Sequence, residues 1–191
     1  MLRKLRLITA MLVVIGVSQP TIAQESAEDR DAAARDYFSD TVLLNQNGEK
    51  VKFYSDVLKD RIVVINFMFA NCQGACPLIT QKMRMARDAL GEETVKQIRF
   101  VSISIDSERD TPAALREFAT RQHADGDWVF LTGEKDSVDQ VVKKLGQYFP
   151  DVEEHSTWLI AGNVKTRYWM KIPPNVPAPG VAEKLRLLVG G

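Results

Sequence analysis

The feature that most constrains the fold is an almost continuous apolar run, Ile62 to Ala70 (IVVINFMFA), followed directly by a cysteine-containing segment. Its length and its β-branched start are typical of a central strand that is buried on both faces. Pro77 suits the first turn of a following helix, where its missing N–H is not needed. That helix is expected to end at Gly91 and to bury the apolar residues that recur every three or four positions: Leu78, Ile79, Met83, Ala86 and Leu90.

Further strands and helices are predicted on both sides of this unit. The stretch VLLNQNGEKVKFY indicates a β-hairpin, because Asn47-Gly48 is a strong turn dipeptide between two short apolar segments. Six elements follow the cysteine helix: a strand over Arg99–Ile105, a helix started by Thr111-Pro112, a strand over Trp128–Leu131, a helix marked by Val138, Val141, Val142 and Leu145, a hairpin turning at Gly162-Asn163, and a helix over Ala182–Val189. The segment PPNVPAP is expected to form a rigid connection to the last helix.

The order of these elements, ββ and then β-α-β-α-β-α-β-β-α, indicates the fold class. A βαβ unit requires a parallel strand pair joined by a right-handed crossover, and the late hairpin adds an antiparallel strand. We therefore predict an α/β protein with a thioredoxin-like fold. Its mixed central sheet is flanked by helices and carries an N-terminal β-hairpin extension.

The first 23 residues have the features of a secretory signal peptide. A basic start (MLRKLR) precedes an apolar stretch (LITAMLVVIGV) and small residues at Thr21–Ala23. The apolar stretch is short for a spanning helix, which needs about 20 residues, so an uncleaved membrane anchor is the alternative. Residues 24–40 are predicted to be a polar linker or a loose helix, and residues 41–191 the thioredoxin-like domain. The domain is expected to be exported to the periplasm.

The charge balance argues against a nucleic-acid-binding protein. The chain has 25 basic and 25 acidic residues. Three of the basic residues and none of the acidic ones lie within the first 23 positions, which leaves 22 against 25. A mildly acidic domain without a basic cluster lacks the electrostatic footprint of a nucleic-acid partner.

The two cysteines are predicted to lie at the strand–helix junction, Cys72 in the loop and Cys76 in the first helical turn. Side chains four residues apart on a helix have Cβ atoms about 5–6 Å apart, so both sulfurs can bind one metal ion or form a disulfide after a small adjustment. The partial positive charge of the helix N-terminus favours thiolates. We therefore expect reactive rather than inert sulfur.

The spacing of the cysteines leaves three interpretations open. Thiol-disulfide oxidoreductases of the thioredoxin type use C-x-x-C, whereas three residues intervene here, which favours a metal chelate. In an oxidising compartment, however, two thiols tend to form a disulfide unless they are kept reduced or bind metal. A purely structural disulfide is the third interpretation, although closing so short a loop stabilises little.

A third metal ligand is sought among the two histidines. His155 directly precedes a predicted strand. In thioredoxin-like folds, the loop before that strand faces the cysteine loop, so His155 could point at the two sulfurs. Alternatively, His155 is a loop histidine that is hydrogen-bonded to the backbone. His123 is expected to be a solvated helix-end residue. Two thiolates and an imidazole favour copper(I) or zinc, but structural zinc wants four ligands and no fourth Cys or His is suitably placed. Copper(I) tolerates two or three ligands, and copper(II) could be held with a water or a carboxylate as a further ligand.

Three segments in order resemble the Sco/SenC family of exported copper proteins: the C-x-x-x-C-P motif from Cys72 to Pro77, the stretch SISIDSERDTP from Ser102 to Pro112, and the pair His155-Ser156. The resemblance implies a thioredoxin-like fold and one copper ion bound by Cys72, Cys76 and His155. It also implies copper delivery to the binuclear copper centre of cytochrome c oxidase, or reduction of that centre's cysteines. The chain departs from the family where prolines are common, at Gln73 and Ser107.

Asp106 is expected at the carboxyl end of the strand beside the cysteine strand, where α/β sites usually lie. It is predicted either to hold the loop or to tune the copper site by a hydrogen bond or by its charge. Arg109 and Asp110 are expected to tie down the loop and to cap the helix at Thr111-Pro112.

Three functions are consistent with these residues. The first is a copper metallochaperone whose partner is the copper-centre subunit of cytochrome c oxidase or another exported cuproprotein. The second is a thiol-disulfide oxidoreductase, served by a periplasmic thiol reductant, in which Cys72 attacks the substrate disulfide. The third is a copper-responsive sensor or scaffold. A peroxidase is disfavoured, because Phe69 stands where such enzymes have threonine. A membrane is a partner only if the N-terminal segment is uncleaved.

Overall fold

The computed structural model describes residues 26–124, 126–148, 151 and 156–190. Within these ranges a single seven-stranded sheet carries helices on both faces. The strands are β1 (Val42–Asn45), β2 (Lys50–Lys52), β3 (Ile62–Met68), β4 (Ile98–Ser104), β5 (Val129–Thr132), β6 (Leu159–Asn163) and β7 (Tyr168–Ile172). The helices are α1 (Ala27–Phe38), α2 (Ala75–Asp88), α3 (Glu92–Val95), α4 (Pro112–Arg121), α5 (Lys135–Lys144) and α6 (Ala178–Val189), and a π-helical turn spans Phe53–Leu58.

The sheet order is β2-β1-β5-β4-β3-β6-β7. Strands β3, β4 and β5 run parallel, while β6 pairs antiparallel with β3, and β1 pairs antiparallel with β5. The predicted mixed sheet with an N-terminal hairpin is therefore confirmed. Because β3 lies between β4 and β6, the loop that follows it leaves the sheet from an interior strand and not from either end.

The core is divided by the sheet into two apolar clusters. Alternate residues of β3 point to opposite faces, as the pleat of a strand requires. Ile62, Val64 and Met68 pack on the face covered by α2, α4 and α6. Val63, Ile65 and Phe67 pack on the face covered by α1, α5 and the π-helical turn. All seven residues of β3 are buried, which confirms the predicted central strand.

One polar side chain interrupts this strand. Asn66 is buried, and its Oδ1 accepts a hydrogen bond from the Ser102 hydroxyl at 2.6 Å. The Ser102 oxygen in turn accepts one from the Trp128 indole N–H at 2.9 Å. This chain of bonds links β3 and β4 to the start of β5 beneath the helices of one face.

Two local signals produce the predicted structure. Gly48 has φ +82°, a left-handed conformation that glycine adopts without strain, and it turns the β1–β2 hairpin. Thr111 caps α4 by accepting a hydrogen bond from the Ala114 N–H at 3.2 Å, with Pro112 in the first turn. The burial of Leu115, Phe118 and Ala119 on α4 is also confirmed.

The closing hairpin differs from the prediction. Gly162 and Asn163 do not form the turn; they are the last residues of β6, and the turn follows at 164–167. A Cβ atom on Gly162 would lie 2.3 Å from the Trp169 ring, so glycine is needed there because the indole lies across the strand. Arg167, with φ +59°, supplies the left-handed residue of the real turn.

The ends of two other helices also differ from expectation. Helix α6 begins at Ala178, inside the segment PPNVPAP, because a proline is tolerated in a first helical turn. Helix α2 ends at Asp88, and Gly91, with φ +80°, precedes the short helix α3. Leu78 was expected to be buried with the other apolar residues of α2, but it is 67% exposed.

Within residues 24–40, where the sequence indicates a polar linker or a loose helix, the structure has the helix α1. Ser26 and Asp29 form a reciprocal capping box at its start. Phe38 is buried, and Asp31 accepts a hydrogen bond from the Tyr54 hydroxyl at 2.8 Å, so α1 packs on the domain.

The predicted signal peptide, residues 1–23, lies outside the described residues. Among those that are described, no helix has both the length and the apolar character needed to cross a membrane.

Candidate functional site

The two cysteines lie where the sequence places them, between the end of β3 and the start of α2. The Cys72 N–H donates to the Phe69 carbonyl at 3.1 Å, which turns the chain just after the strand. Cys76 follows in the first turn of α2, and its backbone N–H donates to the Cys72 sulfur at 3.4 Å. Cys72 therefore satisfies one of the N–H groups that every helix start leaves without an intrahelical partner.

The two sulfurs differ in their access to solvent. Cys76 is 0% exposed, whereas Cys72 is half-buried, and the two are present as thiols. Burial, and then the hydrogen bond with Cys72, raises the pKa of the Cys76 thiol. At Cys76, loss of hydration thus opposes the effect expected of the helix N-terminus, because burial disfavours the charged thiolate. Cys72 is the sulfur that an incoming group meets first.

A buried carboxylate holds the peptide that leads into the cysteine loop. Asp110 is 2% exposed, and its Oδ2 accepts from the Ala70 N–H at 2.9 Å and from the Ser104 hydroxyl at 2.6 Å. The Arg121 guanidinium donates to the Ala70 carbonyl at 3.3 Å. The N–H and the carbonyl of Ala70, two positions before Cys72, are thus both held by hydrogen bonds. Burial raises the pKa of Asp110, although these hydrogen bonds act in the opposite direction.

The sequence only partly foresees this role of Asp110. The expectation that it ties down its loop is confirmed, but Thr111 rather than Asp110 caps α4. The partner on the cysteine loop is a backbone group, and no side-chain pattern in the sequence signals a backbone partner 40 positions away.

Asp106 follows β4, at the same sheet edge as the cysteine loop, as predicted. It is 8% exposed, and its Oδ2 lies 2.6 Å from the Arg109 Nε. Its carbonyl accepts from the N–H groups of Arg109 and Asp110, which closes the loop. A structural role is therefore present; an influence of Asp106 on a metal stays a prediction.

The structure describes only one of the two histidines. His155 lies outside the described residues, so its predicted place beside the sulfurs stays a prediction. His123 is exposed, and it follows the end of α4 with φ +52°. Its N–H donates to the Thr120 carbonyl at 3.1 Å, which confirms the expected helix-end residue. Across residues 26–124, 126–148, 151 and 156–190, no three or more His, Cys, Asp or Glu residues group to hold a metal ion.

Comparison with known proteins agrees with this arrangement. The SCO2-like protein of Rickettsia conorii is 29% identical over 181 residues, covering 85% of this chain and 86% of the relative. ScoI of Bradyrhizobium japonicum, solved with copper bound, is 22% identical, with a TM-score of 0.66 over 78% of this chain and 96% of that one. BsSco, a member of the Sco family of cytochrome c oxidase assembly proteins, is 23% identical, with a TM-score of 0.65 over 78% of this chain and 91% of that one.

These structural neighbours confirm the predicted thioredoxin-like fold. The sequence model of the SCO1/SenC family matches residues 29–189, which include both cysteines, Asp106 and Asp110. The chain belongs to the SCO1/SenC family.

Proposed function

We propose that the protein is an exported copper metallochaperone that assists assembly of the binuclear copper site of cytochrome c oxidase. One copper ion would be bound by Cys72, Cys76 and His155. The observation that carries the proposal is the pair of thiols at the start of α2, one half-buried and one buried, joined through the Cys76 N–H. Thiolates are soft ligands that select copper(I), and three ligands suffice for that ion.

The strand register supports His155 as the third ligand. Strand β6 runs antiparallel to β3, with Ile160 opposite Ile65. The chain that enters β6 therefore reaches the sheet edge at which β3 ends and the cysteine loop begins. His155 is four residues before the first residue of β6, so we expect its imidazole near the two sulfurs.

The relatives support the metal and the recipient. The Bradyrhizobium japonicum protein was solved with copper bound, and BsSco is one of the cytochrome c oxidase assembly proteins. Export is supported by the basic and apolar pattern of residues 1–23. The recipient would be the copper-centre subunit of the oxidase or another exported cuproprotein.

An anaerobic copper(I) titration of the reduced, exported protein against a competing colorimetric chelator tests the proposal. We expect one equivalent to bind, and His155→Ala to weaken binding by about tenfold or more, a loss of about 1.4 kcal/mol or more. His123→Ala is the matched control, because it removes the chain's other histidine from an exposed helix end. Equal affinity of the His155 and His123 variants would refute the three-ligand site.

The unequal exposure of the sulfurs favours a second function, reduction of a disulfide in the copper-site protein. The Cys72 thiolate would attack one substrate sulfur, forming a mixed disulfide and releasing the other sulfur as a thiolate. Cys76 would then pass its proton to the thiolate released in the first step and attack the Cys72 sulfur, releasing the second substrate thiolate. The protein pair is oxidised by two electrons and the substrate disulfide is reduced by two. A periplasmic thiol reductant would restore the pair.

Single substitutions distinguish the roles of the two sulfurs. Cys76→Ser should accumulate the mixed disulfide, because the sulfur that resolves it is missing, whereas Cys72→Ser should not react with the substrate. Non-reducing electrophoresis with mass spectrometry measures both. Failure of the parent protein to reduce the oxidised copper-site domain at a useful rate would eliminate this second function while leaving copper binding intact.

Asp106 is proposed to tune the copper site without ligating the metal. Asp106→Asn keeps the size of the side chain but removes the charge that faces Arg109. We expect a shift in the copper(II) absorption spectrum with an unchanged copper stoichiometry. An identical spectrum would assign Asp106 to the loop structure alone.

A further inference from the structure

A cavity of about 570 Å³ lies on the sheet face opposite α2, away from the cysteine loop. It is open to solvent on one side and is bordered by α1, the end of α5 and the β6–β7 hairpin. Its size falls within the range of about 300–1,000 Å³ that is usual for small-molecule sites. Its walls are apolar and include Ala34, Phe38, Leu145, Ile160, Val164 and Trp169.

The aromatic wall of the cavity depends on a glycine. Trp169 pairs with Gly162 across the β6–β7 ladder, and its ring occupies the space that a Cβ on Gly162 would fill. The indole therefore lies across the sheet, where it contacts the Phe38 ring at a centroid distance of 5.1 Å. Tyr37 continues this wall, and its hydroxyl donates to the Lys144 carbonyl at 3.1 Å, which ties α1 to the end of α5.

The charged residues that line the cavity are all basic: Lys144, Arg167 and Lys171. Among the described lining residues there is no aspartate or glutamate. The Lys144 ammonium donates to the Asp36 carbonyl at 3.3 Å and lies 5.8 Å from the centre of the Tyr37 ring, so its charge is not neutralised by a carboxylate. Lys171 is exposed, and its ammonium group forms no hydrogen bond or ion pair with any described residue.

We propose that this cavity binds an amphipathic anion, namely a single acyl chain that ends in a carboxylate. The apolar walls would cover the chain, and the uncompensated ammonium groups of Lys144 and Lys171 would hold the carboxylate by charge-assisted hydrogen bonds. A neutral ligand leaves these cations without a partner, and a cationic one is repelled by them. The site is separate from the dithiol, since most of its apolar walls belong to the cluster of the other sheet face.

The test is a calorimetric titration of the exported protein with dodecanoate below its micelle concentration, compared with dodecanol and dodecylammonium. We expect one saturable site for dodecanoate and binding at least about tenfold weaker for the other two. Lys171→Gln should weaken dodecanoate binding several-fold without changing that of dodecanol. Lys184→Gln, on α6 at the opposite face, is the matched control and should bind as the parent does.

A second variant tests the cavity rather than the charge. Ala33 is exposed at the mouth, so Ala33→Phe should obstruct entry without disturbing the core, and circular dichroism checks that the fold is kept. Loss of dodecanoate binding in this variant supports the site. No saturable binding by the parent, equal binding of dodecanol, or full binding by Ala33→Phe would each overturn the proposal.

Discussion

Replacing Asp110 by alanine should destabilise the protein and loosen the cysteine loop, whereas replacing it by asparagine should do neither. The Ala70 N–H and the Ser104 hydroxyl donate to the same carboxylate oxygen, Oδ2, at 2.9 and 2.6 Å. A single amide oxygen in that position can accept both hydrogen bonds. Alanine can accept neither, so two buried donors lose their acceptor.

The size of the effect follows from these two donors. A buried donor left without an acceptor costs about 1–3 kcal/mol, so losing the acceptor for both would cost about 2–6 kcal/mol. Removal of the buried charge of Asp110 offsets part of this cost, because its dehydration is unfavourable. We expect a net loss of about 2–4 kcal/mol for Asp110→Ala and less than about 1 kcal/mol for Asp110→Asn.

The pH dependence has a definite sign. Burial raises the pKa of folded Asp110 above the ordinary value of 3.8, so the folded state holds this proton more tightly than the unfolded state. The stabilisation that results is complete below that value and is lost as the pH rises through the folded pKa. Asparagine does not titrate. The asparagine variant should therefore gain stability relative to the parent as the pH rises above 3.8.

Urea unfolding of the reduced proteins, followed by circular dichroism at about pH 4 and at about pH 7, measures these differences in the free energy of unfolding. Copper(I) titration of the same variants shows whether the Ala70 contact orders the ligands, because the alanine variant should bind more weakly and the asparagine variant as the parent does. Two results would refute the reasoning: equal destabilisation by both substitutions, or an alanine variant within about 0.5 kcal/mol of the parent.

Three further outcomes follow from contacts described above. Gly162→Ala should lower the free energy of unfolding by about 1–3 kcal/mol and shift tryptophan emission, because the new methyl group would overlap the Trp169 ring. In the folded, reduced protein, iodoacetamide should label Cys72 well before Cys76, as mass spectrometry can follow. The stabilisation that comes from the raised pKa of Cys76 is complete below 9.0, so the free energy of unfolding should fall as the pH rises above 9.0. Thr111→Ala should cost about 1 kcal/mol in urea unfolding through loss of the helix cap.

Each of these outcomes has a control. Gly190→Ala adds a methyl group whose nearest neighbour is 3.8 Å away, and it should be close to neutral. Equal labelling rates for the two cysteines would contradict the buried position of Cys76. A Cys76→Ala variant should lose the part of the alkaline dependence that begins near pH 9.0 and keep the part that arises from Tyr54, whose pKa is also raised. Thr111→Ser keeps a capping hydroxyl and should recover most of the stability.

The sequence predicted the elements whose signals are local. The central strand was predicted over Ile62–Ala70 and is observed over Ile62–Met68. This strand, the Asn47-Gly48 hairpin and the Thr111-Pro112 helix start depend on hydrophobic pattern, turn preference and capping, each of which acts within a few residues. The two cysteines were placed correctly for the same reason, because a strand, a short loop and a proline-marked helix define their junction.

What the sequence did not show depends on contacts between distant segments. Gly162 suggested a turn, but its small size serves the Trp169 ring on the neighbouring strand. The Asp110 carboxylate contacts a backbone group on another loop, and the burial that raises the pKa of Cys76 is created by the packed core. Residue-type patterns record none of these. The third predicted ligand, His155, lies outside the described residues and stays a prediction.

The hydrogen bond from the Cys76 N–H to the Cys72 sulfur has a consequence for how the site signals its own state. A sulfur that shares its electron pairs with copper, or with a second sulfur, offers less negative charge to an amide proton. The first turn of α2 then loses a favourable partner whenever Cys72 is occupied. Under the copper binding proposed above, the proton chemical shift and exchange rate of the Cys76 amide should therefore differ between the reduced, oxidised and copper-loaded forms.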